Sequence, residues 1–192
     1  MNFDYSNPTL IGILAAVVLL IFVAVAIAVR HRTEQTRNLR QRFGPEYDRL
    51  LQQSASTHDC ETRLLARKKR VQLLNFHDLT QAQRTHYLNA WETVQFRFID
   101  HPRGAVIEAD ELITSLLHAR GFPAEGFEQR AADLSVDHPH LVAAYRSGSA
   151  LTARAGKNDA TTEELRSAMI QYRTLVDDLL QIETPMEERQ LV

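Results

Sequence analysis

The stretch LIGILAAVVLLIFVAVAIAVRHR, residues 10–32, decides how the rest of the chain is read. From Leu10 to Val29 it runs for twenty residues without a polar side chain. A helix of that length rises about 30 Å, the thickness of a bilayer's hydrocarbon core. Fourteen of the twenty are Leu, Ile, Val or Phe. Together they favour insertion by on the order of 4 to 8 kcal/mol. A buried core helix of this composition needs protein around its whole circumference, which the remaining domain is too small to supply. The expectation is therefore one transmembrane helix over residues 10–29.

Charge sets its direction. The preceding residues, MNFDYSNPT, contain Asp4 and no Lys or Arg, whereas Arg30, Arg32, Arg37, Arg40 and Arg42 follow the span against Glu34 alone. Arginine-rich flanks stay on the cytoplasmic side, so residues 1–9 are expected outside and everything after Val29 in the cytoplasm. A cleaved export signal has a basic start, a shorter apolar stretch and a polar small-residue site after it. Here Ala24-Val25-Ala26 still lies inside the apolar run. The alternative is an exported cell-surface domain behind an inefficiently cleaved signal.

Beyond the span the pattern is helical. Residues 30–56 read as a basic juxtamembrane helix broken at Gly44-Pro45, with Pro45 opening a helix toward Gln53. Residues 57–184 read as the helical domain, and 185–192 as a flexible tail. Within the domain a charged helix runs from His58 to about Phe76, with Leu64, Leu65, Val71 and Leu74 as its apolar contacts, and Thr80 is placed to cap the next. Tyr87, Leu88, Trp91, Val94 and Phe98 recur at three and four and define a core-facing stripe. Val106 to Leu117 forms another, stopped by Gly121 and Pro123. A short segment over Phe127–Leu134 precedes a helix toward Gly156, and Thr161-Thr-Glu-Glu164 fits a capping box ahead of the Leu165–Leu179 stripe. No stretch alternates as a strand does. The fold class expected is all-α, one transmembrane helix followed by a bundle of five to seven helices.

Composition narrows function by exclusion. The chain carries 22 Lys+Arg against 24 Asp+Glu, so the domain is close to neutral, which argues against a nucleic-acid partner. Cys60 is the one cysteine, so no intramolecular disulfide and no thiolate metal cluster can form. The two Asp-His-Pro tripeptides at 100–102 and 137–139 read as helix punctuation, with the aspartate as cap. His138 and His140, two apart on a helix, are expected to diverge by about 200°. His58-Asp59-Cys60 sets a thiol beside an imidazole, but adjacent helical residues also diverge. No glycine-rich phosphate loop and no nucleophile elbow is present. No catalytic, cofactor-binding or metal residue is assigned; an enzyme reading would turn first to His86, His101, Asp137 and His138. The densest positive cluster, Arg63, Arg67, Lys68, Lys69 and Arg70, reads as a solvated helix face or a lipid-contact patch.

Two stretches, RFGPEYDR at 42–49 and FEQRAADLSVDHP at 127–139, resemble an uncharacterised bacterial family of proteins labelled hypothetical or secreted. The resemblance runs from about residue 38 to 180 and implies no activity; many members begin with a similar apolar segment. The functional expectation is a single-pass membrane-anchored interaction or adaptor module, with the lipid bilayer and an unidentified protein as partners.

Overall fold

The computed structural model describes residues 8–124 and 126–181, with side chains from Leu14 to Leu180. Residues 1–7 and the expected tail at 185–192 lie outside the described residues. The first element, α1, is one uninterrupted helix over Pro8–Phe43. Its most apolar 18-residue window has a mean hydropathy of 2.5 and none of it is buried, so the helix is long and apolar enough to cross a membrane. The helix does not stop where the polar residues begin. The Thr33 hydroxyl donates to the Val29 carbonyl at 2.9 Å, and Arg30 pairs with Glu34 one turn on at 3.1 Å. It ends at Gly44, whose φ of +51° is a left-handed conformation that glycine adopts without steric cost.

The chain divides into two units, residues 1–42 and 43–192. The second contains α2 (Pro45–Gln52), α3 (Thr57–Val71), α4 (Gln81–Asp100), α5 (Pro102–Ala119), α6 (Phe127–Asp137), α7 (Pro139–Gly156) and α8 (Thr162–Gln181). These are seven helices among the described residues, with no strand, as the periodicity predicts. At the centre α5, α7 and α8 pack on one another; α4 covers α5 and α8, α6 covers α7, and α3 lies on α6 while α2 bridges α3 and α7.

The expected stripes make the core. Val106, Ala109, Ile113, Leu116 and Leu117 of α5 meet Leu141, Val142 and Tyr145 of α7 and Leu165, Tyr172, Val176 and Leu179 of α8. Each such large side chain, fully buried, contributes about 1.5 to 3 kcal/mol. Trp91, Tyr87 and Val94 join from α4, but Leu88 in the same expected stripe is 44% exposed, as is Leu65 of α3 at 41%. Both lie one position beyond a buried residue, on the edge of a face that is narrower than the run of apolar residues suggests.

Helix ends follow their chemistry. At Thr80 the hydroxyl accepts from the Gln83 amide while the Gln83 side chain accepts from the Thr80 amide, a reciprocal cap. Thr161 and Glu164 do the same at the start of α8. The α5 terminus closes with Gly121 N–H on His118 O and Phe122 N–H on Leu117 O, with Gly121 at φ +95°. A side chain there would lie 2.3 Å from the Asn75 carbonyl oxygen, so close approach and conformation both require glycine.

Three expectations need correction. Asp100 and Asp137 are the last residues of α4 and α6; the caps of α5 and α7 are His101 and His138, which make no side-chain capping bond, so proline alone opens each helix. His138 and His140 do not diverge: their rings lie 6.2 Å apart, because His138 precedes the helix and is not on its regular spiral. The charged helix ends at Val71, well before Phe76.

Candidate functional site

Four arginines from two helices converge on an open cleft between α2, α3 and α6, with a volume of about 430 Å³. Arg49 comes from α2, and Arg63, Arg67 and Arg70 come from α3, where spacings of four and three place them along one side. Ser56 starts that helix by accepting the Asp59 amide at 3.1 Å, which fixes its register. Glu128 and Gln129, in the first turn of α6, close the opposite side.

Beneath the arginines lie two carboxylates out of solvent. Glu46, in the first turn of α2, has a side chain 4% exposed. Its Oε1 accepts from Arg146 of α7 at 3.0 Å, Arg67 at 3.3 Å and Arg49 at 3.5 Å. Asp133 of α6 is fully buried, accepts from Gln129 at 2.9 Å and pairs with Arg70 at 3.4 Å. Arg146 also donates to Glu128 at 2.7 Å, and its guanidinium lies 5.8 Å from the Phe127 ring centre. Burial opposes the Arg146 charge, but the bonds to Glu128 and Glu46 outweigh it and hold the pKa above its ordinary value.

Five guanidiniums therefore face three carboxylates, and positive charge is in excess. Such groups donate hydrogen bonds and positive potential; arginine neither gives up nor takes a proton at neutral pH. Of the expected lipid-contact patch, Arg63, Arg67 and Arg70 line the cleft, while Lys68 and Lys69 do not. The membrane-flank arginines Arg30, Arg32, Arg37, Arg40 and Arg42 are exposed along α1. Sequence reasoning missed Glu46, Asp133 and Arg146. A signal was available: Glu46 and Arg49 belong to RFGPEYDR, and Glu128, Gln129 and Asp133 belong to FEQRAADLSVDHP, so the two stretches meet at this cleft.

Of the residues an enzyme reading turns to first, Asp137 and His138 lie together at the junction of α6 and α7, while His101 lies at the other end of α5. His86 is exposed and stacks edgewise on Tyr87 at 5.4 Å. His101 opens α5, whose first turn carries Arg103, bonded to Asn158 beyond the far end of α7; His138 opens α7 near Arg120, at the other end of α5. An 18-residue helix, about 27 Å, separates them. Burial lowers the His138 pKa, Asp178 and Asp137 oppose that, and Arg120 and His140 add to it. Cys60 is fully buried, and burial followed by Glu61 pushes its thiol pKa up, away from the reactive thiolate. Among the described residues no group of three or more His, Cys, Asp or Glu side chains could hold a metal ion.

A second exposed feature lies on α4, where Phe96 is 72% and Ile99 77% exposed on the same side as Leu88. No protein-family model, curated protein or solved structure matches this chain.

Proposed function

We propose that this protein is a single-pass membrane-anchored interaction module, with α1 as the anchor and the unit of residues 43–192 holding a partner from the cytoplasmic side. The observation that carries the reading is the exposure of every described apolar side chain from Leu14 to Val29, beside a unit that fills its own core without them. Exposed apolar surface of that extent is stable in lipid and not in water. The helix continuing through Arg30 to Phe43 supports retention of the span, because a signal cleavage site needs a short polar stretch immediately after the apolar run. The arginines after Val29 support the inward orientation.

Binding, in place of catalysis, is supported by the separation of His101 from His138 and by the apolar side chains that α4 presents to solvent, a surface suited to receiving a partner helix. The test is extraction with alkaline carbonate followed by proximity labelling from a C-terminal tag. The protein should stay with the membrane fraction and label cytoplasmic neighbours, and Phe96→Glu with Ile99→Glu should remove neighbours without lowering protein level. Release by carbonate, or labelling of exterior proteins alone, contradicts the proposal.

A further inference from the structure

We infer that the cleft between α2, α3 and α6 binds a phosphate dianion, carried by a small soluble phosphate compound or by a phosphomonoester lipid headgroup. The inference needs only the unit of residues 43–192 and stands whether or not α1 spans a membrane.

Three observations lead to it. The first is concentration of charge: Arg49 and Arg67 both bond Glu46 Oε1, so their nitrogens lie at most about 7 Å apart, and Arg63 and Arg70 line the same space. Like charges that close repel, and the three carboxylates Glu46, Glu128 and Asp133 do not neutralise the five guanidiniums. The second is donor geometry. Each guanidinium presents five N–H donors in a planar fork that matches phosphate oxygens, and Arg49 and Arg67, which line the cleft, each give one nitrogen to Glu46 Oε1. The exposed Arg63 has a weak contact to the Ser54 hydroxyl at 3.4 Å. The third is shape: the arginines line a concave space, and about 430 Å³ falls within the usual range for small-ligand sites, about 300 to 1,000 Å³. A positive excess confined to a cleft, with Glu128 on its edge, suits a compact dianion and not an extended polyanion, which needs a continuous basic surface.

The experiment uses the full chain in dodecyl maltoside, titrated with inorganic phosphate against sodium chloride of equal ionic strength. A parallel arm places it in phosphatidylcholine nanodiscs with and without phosphatidic acid, and binding is read from thermal stability and from protection of arginines against phenylglyoxal. A saturable rise in melting temperature in either arm, with protection at Arg49, Arg63 or Arg67, supports the inference and identifies the source. Arg63→Gln should weaken binding by about tenfold or more while leaving the ligand-free melting temperature unchanged, since the exposed Arg63 contacts the fold through the weak bond to the Ser54 hydroxyl. Arg63→Glu should weaken it further, and Lys69→Gln, on the same helix but outside the cleft, should leave it unchanged. No effect beyond matched chloride in either arm, or binding by Arg63→Gln and Arg63→Glu equal to that of the unaltered chain, overturns the inference.

Discussion

Replacing Glu46 by glutamine keeps the shape of the side chain and removes the one charge on which Arg49, Arg67 and Arg146 converge. Two of the three partners are themselves shielded, with Arg67 17% and Arg146 14% exposed, whereas Arg49 at 39% is screened by solvent and adds little. Removing one member of a buried ion pair costs about 3 to 5 kcal/mol, because the remaining charges stay desolvated and uncompensated. With Arg49 screened, Arg146 still paired with Glu128 at 2.7 Å and an amide oxygen still able to accept, the lower end applies, about 3 kcal/mol. For a unit of this size each kcal/mol lowers the melting temperature by about 2 to 4 °C, so the expected drop is about 6 to 12 °C. Trp91 is the only tryptophan and lies in the main core, so its fluorescence follows unfolding of residues 43–192 in the full chain without signal from α1. Glu92→Gln, an exposed acid on α4, serves as the control and should stay within about 0.5 kcal/mol. Should Glu46→Gln fall in the control's range, the carboxylate does not organise the cleft and the reasoning is refuted.

Gly148→Ala should destabilise although alanine is the better helix former by about 1 kcal/mol. A Cβ there meets the Tyr172 ring at 2.8 Å, and that ring is held by bonds to Asp110 at 2.6 Å and Thr152 at 2.7 Å, so overpacking of about 1 to 3 kcal/mol and strain on the bond to Asp110 prevail; denaturant melts giving equal or greater stability would refute this. His138 is held below its ordinary value of 6.5 by burial, so the unfolded chain binds the proton more readily. Stability should therefore fall as pH drops below about 6.5 toward the folded-state value, and His138→Gln should flatten that part of a stability–pH curve. Glu164 is held at about 2 by the Thr161 amide, then by Arg154 and the Thr161 hydroxyl, so its contribution is complete above 4.5 and is lost as pH falls toward 2. Carboxyl NMR should show that low midpoint, and Arg154→Ala should raise it.

The amino-acid order reveals the elements of this fold and conceals its charged interior. The span, the caps at Thr80 and Thr161 and the stop at Gly121 depend on chemistry within a few residues, so they are visible locally. The stripes on α5 and α8 are visible because helical period and burial agree. Glu46 is different: its burial depends on Arg67 and Arg146, 21 and 100 positions away, and nothing nearby marks it. The basic run on α3 likewise reads as one patch until α6 packs beside it and separates the arginines from Lys68 and Lys69. Leu88 and Leu65 fail for a related reason, since an apolar residue at the edge of a stripe has no local sign of which side of the boundary it occupies.

The membrane reading is tested most directly by cysteine accessibility in intact spheroplasts of a bacterial host. Cys60 is fully buried and does not serve as the reporter, so single cysteines are placed at Ser6, before the span, and at exposed Thr85 on α4. With an impermeant maleimide, Ser6→Cys should label in intact spheroplasts and Thr85→Cys only after lysis. Labelling of Thr85→Cys in unbroken spheroplasts contradicts the orientation, and its release into the medium contradicts the anchor itself.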